Sequence, residues 1–148
     1  MSKIVIEDDF FMKQALIQAK EAFELGEVPI GAIVVYENQI IAKAYNMVET
    51  LNDVTAHAEM LALTSASDYL GGKYLNKCRL YVTLEPCPMC AGAMKWAQID
   101  SLIYGAEDLK SGFARFGKEI LHPKTKVALG LFKEESSELL KHFFENLR

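Results

Sequence analysis

Arg79-Leu80-Tyr81-Val82-Thr83-Leu84-Glu85-Pro86-Cys87-Pro88-Met89-Cys90-Ala91-Gly92-Ala93-Met94 changes character halfway along. Its first six residues are strand-like, and the run from Ala91 to Ala97 reads as a helix, so Glu85-Pro86-Cys87 is delivered at a strand's end. Pro88 fits the first turn of that helix, where its missing N–H has no intrahelical partner to lose. Cys87 and Cys90 then place both sulfurs on one side of the helix start. The free N–H groups there and the positive end of the helix dipole favour thiolate, the form that binds metal.

Thirty positions earlier, Thr55-Ala56-His57-Ala58-Glu59 supplies a neutral nitrogen and a carboxylate. His57, Cys87 and Cys90 make three ligands for Zn2+, which leaves one tetrahedral position open, the arrangement of a catalytic rather than a structural site. Glu59 is the acid/base candidate for moving the protons of an activated water. Two residues apart on a regular helix, His57 and Glu59 would diverge by about 200°. Both reach one site only if they lie at the helix start. The competing reading, a non-catalytic zinc-binding domain, needs a fourth protein ligand, and Cys78, His122 and His142 are the candidates. Cys78, at the entrance of a strand, reads by default as a small buried hydrophobe.

Outward from this centre, Asp8 or Asp9 is positioned to cap a helix with Phe11, Ala15, Leu16, Ala19, Ala22 and Phe23 at helical spacing, ended by Gly26. Pro29 to Tyr36 and Ile40 to Tyr45 read as a hairpin about the Glu37-Asn38-Gln39 turn. Gly31 either marks a close approach of another backbone or a ligand, or merely begins a strand. Asn46 to Val54 reads as a loop, followed by a helix from about Ala56 to Asp68 capped by Thr55 or a neighbour. Ser101 to Gly105 and Lys126 to Leu131 are a fourth and fifth strand, joined by a long connection with a possible short helix. Glu134 to Leu147 is an amphipathic helix with Leu139, Leu140, Phe143, Phe144 and Leu147 in one stripe. Strands separated by helices predict a mixed or largely parallel sheet covered on both faces: a single α/β domain over residues 1–148, three-layer α/β/α with five strands.

The 148 residues suffice for one domain with a real core. No apolar run approaches a membrane span, and the leading segment turns acidic too soon for a secretion signal, so a cytoplasmic protein with no membrane association is expected. Three cysteines make no disulfide framework. The net charge of −4 argues against indiscriminate nucleic-acid binding. It is unevenly placed, however: residues 110–148 hold eight Lys or Arg against five Asp or Glu, and the remainder eight against fifteen. Such a basic third either steers a polyanion to one face or is simply a solvated surface. Phe113, Arg115 and Phe116 suit base stacking and phosphate neutralisation, or else packing in a core or dimer contact. Met94, Lys95 and Trp96 fit a subunit interface or a core equally.

The pairing of His-x-Glu with Pro-Cys-x-x-Cys resembles the zinc nucleobase deaminases. With Glu27-Val28-Pro29-Ile30-Gly31-Ala32 and Leu80 to Ala93, nearly the whole chain resembles the bacterial tRNA-specific adenosine deaminase family. That resemblance implies a cytidine-deaminase-like fold, a homodimer, a tRNA anticodon stem-loop as partner, and conversion of adenosine to inosine at the wobble position. It implies further that Asn46 contacts the flipped base, that Val28 and Pro29 lie along the pocket wall, and that the Ala58 amide helps orient the base. Two departures stand out. Pro88 occupies a place where many members have valine, and Lys110 to Lys118 lacks the usual Gly-Ser ending. Pro-Cys-Pro-Met-Cys followed by Trp96-Ala97 also resembles deaminases of free guanine or cytosine, which makes free nucleobases or nucleosides the alternative substrates.

Overall fold

The computed structural model describes residues 6–147; the leading residues, on which the secretion-signal reading rests, lie outside that range, as does Arg148. Helix α1 (Ile6–Glu24) leads into a hairpin of β1 (Gly31–Tyr36) and β2 (Gln39–Tyr45), and a single turn, α2 (Val48–Leu51), precedes α3 (Ala58–Leu70). Strand β3 (Cys78–Leu84), α4 (Pro88–Ala97) and β4 (Ser101–Ala106) follow. Two 3-10 turns, Phe113–Phe116 and Lys118–Ile120, carry the chain to β5 (Lys126–Leu129) and α5 (Lys133–Asn146).

The five strands form one mixed sheet in the order β2-β1-β3-β4-β5, with β1 antiparallel to both neighbours and β3, β4 and β5 parallel. Because strand side chains alternate between faces, the register sorts them into two cores. Ala32, Val34, Leu80, Val82, Leu102 and Tyr104 pack with Ala62, Ala66, Ala91 and Met94 of α3 and α4. Ile33, Val35, Tyr81 and Ile103 pack with Phe11, Met12 and Ala15 of α1, and α5 joins that second face. The result is the three-layer α/β/α arrangement, with both faces of β1 and β3 apolar because both are covered. Each fully buried Leu, Ile or Val contributes on the order of 1.5–3 kcal/mol.

Gly31 marks a close approach of backbone: a Cβ there would overlap the Ala15 carbonyl oxygen and the Ala19 amide nitrogen of α1. Glu37 and Asn38 both take positive φ, 50° and 62°, the conformation a two-residue hairpin turn requires. Gly26, with φ 78°, follows the end of α1 as expected.

Several sequence-based expectations are corrected. Asp8 does not sit at a helix cap; it lies within α1, buried, and accepts a hydrogen bond from the Tyr81 hydroxyl across the layer. Nor does Thr55 cap α3: its amide and hydroxyl both turn back to Asp53 Oδ1, at 2.8 Å each, and His57 takes the N-cap position. The loop from Asn46 contains the α2 turn, and β5 stops at Leu129. On α5, Phe143 is buried against Phe23, but Phe144 and Leu147 are 49% and 68% exposed. Adjacent helical residues diverge by about 100°, so a helix at a layer's margin cannot bury both phenylalanines in the same direction.

Candidate active site

The metal-ligand candidates sit at two helix starts that face each other. His57 is the N-cap of α3 with extended backbone (φ −73°, ψ 151°), and Cys87 is the N-cap of α4 (φ −74°, ψ 168°) with Pro88 in the first turn. Neither side chain caps its own helix, which leaves both directed elsewhere. His57 stands just outside the helix while Glu59 occupies its first turn, which resolves the divergence expected of residues two apart.

His57 Nδ1 lies 3.6 Å from Cys87 Sγ and 3.5 Å from Cys90 Sγ, and the three donor atoms are all within 4.8 Å of one another. A tetrahedral zinc with its ordinary bonds, about 2.3 Å to sulfur and 2.0–2.1 Å to nitrogen, has S···N edges of about 3.6 Å. The donor set therefore fits zinc in chemistry and in spacing. Among the described residues these are the only His, Cys, Asp or Glu side chains that cluster in this way. Cys78, His122 and His142 do not join them, so the fourth position is left to a ligand from outside the described chain.

The electrostatics suit metal capture. Cys90 donates toward Cys87, and with His57 beside it the Cys87 thiol is pulled down to about 4, while the shared proton and burial push Cys90 up. The Cys87 contact also raises His57. Burial pushes Glu59, only 4% exposed, up to about 7. A carboxyl near neutrality is tuned both to accept and to return a proton.

A cavity of about 580 Å3 opens beside His57 and is lined in part by Val28, Asn46, Val48 and Phe144. The structure thus brings Asn46 and Val28 to one space with His57. Pro29 and Ala58 are buried and are not among its lining residues. Sequence reasoning missed Glu27, Phe144 and Leu147 as lining residues. A signal for Glu27 was present: it is an acid directly before the apolar run from Val28.

Glu85, two residues before Cys87, is a structural tie. Its buried carboxylate accepts hydrogen bonds from the Asp108 amide (3.0 Å) and the Ala114 amide (2.9 Å), and the Phe113 amide donates to Pro86 O at 2.9 Å. The segment 107–114 is thereby fastened to the strand end that carries Cys87. Phe113 packs edge-on against Tyr104 in the core, whereas Phe116 is exposed with Arg115 over its ring. The aromatic-basic cluster is divided between core and surface. Met94 and Trp96 divide likewise, the first fully buried and the second 81% exposed.

The fold and the ligand cluster define a class. The chain belongs to the MafB19-like deaminase family, whose model matches residues 6–148, and it is a zinc-dependent hydrolase of the cytidine-deaminase-like superfamily. Within that superfamily its place is with the bacterial tRNA-specific adenosine deaminases. It is 50% identical over 144 residues to the tRNA-specific adenosine deaminase of Aquifex aeolicus (strain VF5), covering 95% of each chain. A solved structure from a study of A-to-I editing by tRNA:A34 deaminases at the wobble position of transfer RNA is 44% identical, with a TM-score of 0.84, covering 88% of this chain and 99% of that one. The guanine deaminase from Bacillus subtilis is 41% identical but less alike in structure, with a TM-score of 0.66, covering 74% of this chain and 69% of that one.

Proposed function

We propose that the protein hydrolyses adenosine to inosine at the anticodon wobble position of a tRNA. The observation that carries this is the His57–Cys87–Cys90 triangle of zinc dimensions, beside a buried Glu59 and a nucleoside-sized cavity. The likeness to tRNA-specific adenosine deaminases spans nearly the whole of both chains with a TM-score of 0.84, whereas that to a guanine deaminase covers 74% of this chain with a TM-score of 0.66, and this difference supports adenosine in tRNA over free bases.

In this reading His57, Cys87 and Cys90 hold Zn2+, which when bound lowers the pKa of a water toward neutrality and so supplies a nucleophile. Glu59 takes one proton from that water and delivers it to N1 of adenine as the oxygen adds at C6, and then carries the second proton, from the new C6 hydroxyl, to the exocyclic amine. The C6–N bond breaks, the amine leaves as ammonia, and the C6 carbonyl of inosine forms with Glu59 restored as carboxylate. Asn46 hydrogen-bonds the flipped base, Val28 forms its wall with Pro29 buried behind that stretch, and the Ala58 amide in the first turn of α3 helps orient it. The thiolates require a reducing setting, which accords with a cytoplasmic protein. No helix among the described residues is long and apolar enough to cross a membrane.

The same reading takes residues 1–148 as one domain that works as a homodimer. Trp96 and Met89 on α4, both solvent-exposed and seven positions apart on one helical side, offer apolar surface for a second copy. Depleting the protein and sequencing cellular tRNA tests the proposal. Wobble inosine is expected to fall to background, and inosine at its normal level would overturn the reading.

A further inference from the structure

Two stretches far apart in sequence, 26–30 and 46–49, both line the cavity beside His57. Glu27, from the first, is 1% exposed, and its carboxylate accepts three hydrogen bonds from the second side of the cavity. The Glu49 amide donates to Oε1 at 3.1 Å, and the Thr50 amide and hydroxyl donate to Oε2 at 2.6 Å each. Those amides belong to α2, a helix of four residues with no side-chain cap of its own and no buried residue. So short a helix does not sustain itself, because nucleation costs more than its few internal bonds return. Glu27 is therefore the principal tie on that turn.

Further ties join the same segment to the opposite cavity wall and to the residue before His57. The Asn46 amide donates to Ile30 O at 3.1 Å, and the Met47 amide to Ala56 O at 2.9 Å, next to His57. Burial pushes the Glu27 carboxyl up, yet the hydrogen bonds from Thr50 and Glu49 prevail and hold it below the ordinary range, so it is ionised at neutral pH. A buried carboxylate with three donors is a rigid clamp, since releasing any one of them leaves charge unsatisfied.

We propose that Glu27 is a positioning residue: clamping α2, it fixes the spacing of the two cavity walls and with it the place of Asn46 against the base. This rests on the function proposed above. It assigns to Glu27 control of how the base is seated, through Thr50 and α2, with no contact to the reacting atoms. A purely structural role for the same contact would show in stability alone.

The test uses the full-length zinc-loaded chain on an adenosine-containing anticodon stem-loop, comparing wild type with Glu27→Gln, Thr50→Val and Thr50→Ser. Glu27→Gln is expected to keep its zinc while kcat/KM falls at least about tenfold, the size expected of a lost bond to a buried charge, and while the preference for adenosine over guanosine or cytidine shifts. Thr50→Val moves both quantities the same way by less, and Thr50→Ser, which retains the hydroxyl, restores them. Wild-type kcat/KM and base preference in Glu27→Gln would overturn the proposal, as would a loss matched by an equal loss of folded protein. Identical behaviour of Thr50→Val and Thr50→Ser would also overturn it. A zinc-loaded wild type that leaves the stem-loop adenosine untouched would overturn the parent function, and this proposal with it.

Discussion

His57 and Cys87 meet Nδ1 to Sγ at 3.6 Å although each is the N-cap of a different helix and thirty residues separate them. Opposed helix starts place two sets of free amides and two positive dipole ends around one point, which favours the anionic sulfurs that hold a metal.

Loss of any member of the triangle should therefore release the metal. Cys87→Ser, Cys90→Ser and His57→Ala are each expected to lower bound zinc from about one per chain to less than about a tenth of that, since the described residues offer three protein ligands there. Elemental analysis of the purified variants reads this directly, and full zinc retention in Cys90→Ser would contradict the ligand set.

Glu59 should separate binding of metal from chemistry. Glu59→Gln keeps the shape of the first turn of α3 and removes the base, so zinc content is expected to be unchanged while turnover falls by about 10²–10⁴. Retained turnover would show that another group moves the proton.

With zinc chelated, Glu59 should also leave a mark on stability. Its carboxyl is raised by burial to about 7 from an ordinary 4.5, so the folded chain binds that proton more tightly than the unfolded chain does. The stabilisation is full below 4.5 and is lost as pH rises through 7. Urea midpoints measured from pH 4.5 to 8 in chelator should decline more steeply for wild type than for Glu59→Gln. Parallel curves would contradict the shift.

Gly31→Ala tests the contact between α1 and the sheet. Its Cβ would meet backbone, which cannot rotate away, so a loss of about 2–4 kcal/mol is expected in urea unfolding. A change under about 0.5 kcal/mol would mean that α1 packs less closely at this point.

The Glu85 tie predicts a dynamic effect. In Glu85→Ala the Asp108 and Ala114 amides lose their acceptor, and their hydrogen exchange should quicken at least about tenfold while amides in β3 stay protected. Unchanged exchange at both would show that the segment is held by other contacts.

Local chemistry made much of this legible in the sequence. Pro88 between the cysteines placed a helix start, and the two-residue spacing of His57 and Glu59 demanded another; the short, nearly unbroken apolar runs of β1 and β3 marked strands. What stayed hidden depends on contacts between distant residues. The order β2-β1-β3-β4-β5 is set by pairings such as Val34 with Leu80, which no local period encodes. Likewise Glu27 reaches Thr50 across 23 positions, and α2 is too short to leave a periodic trace. Phe144 was misread because an apolar helical stripe looks the same whether it meets a core or borders a cavity.

The most direct test of the account offers the purified zinc-loaded protein an anticodon stem-loop with adenosine at the wobble position, alongside free adenine, guanine and cytosine, and measures inosine in the RNA together with the deaminated bases. Inosine at the wobble position, with the free bases left unchanged and the activity abolished in Glu59→Gln, is the predicted result. Turnover of a free base with no inosine in the RNA would contradict it.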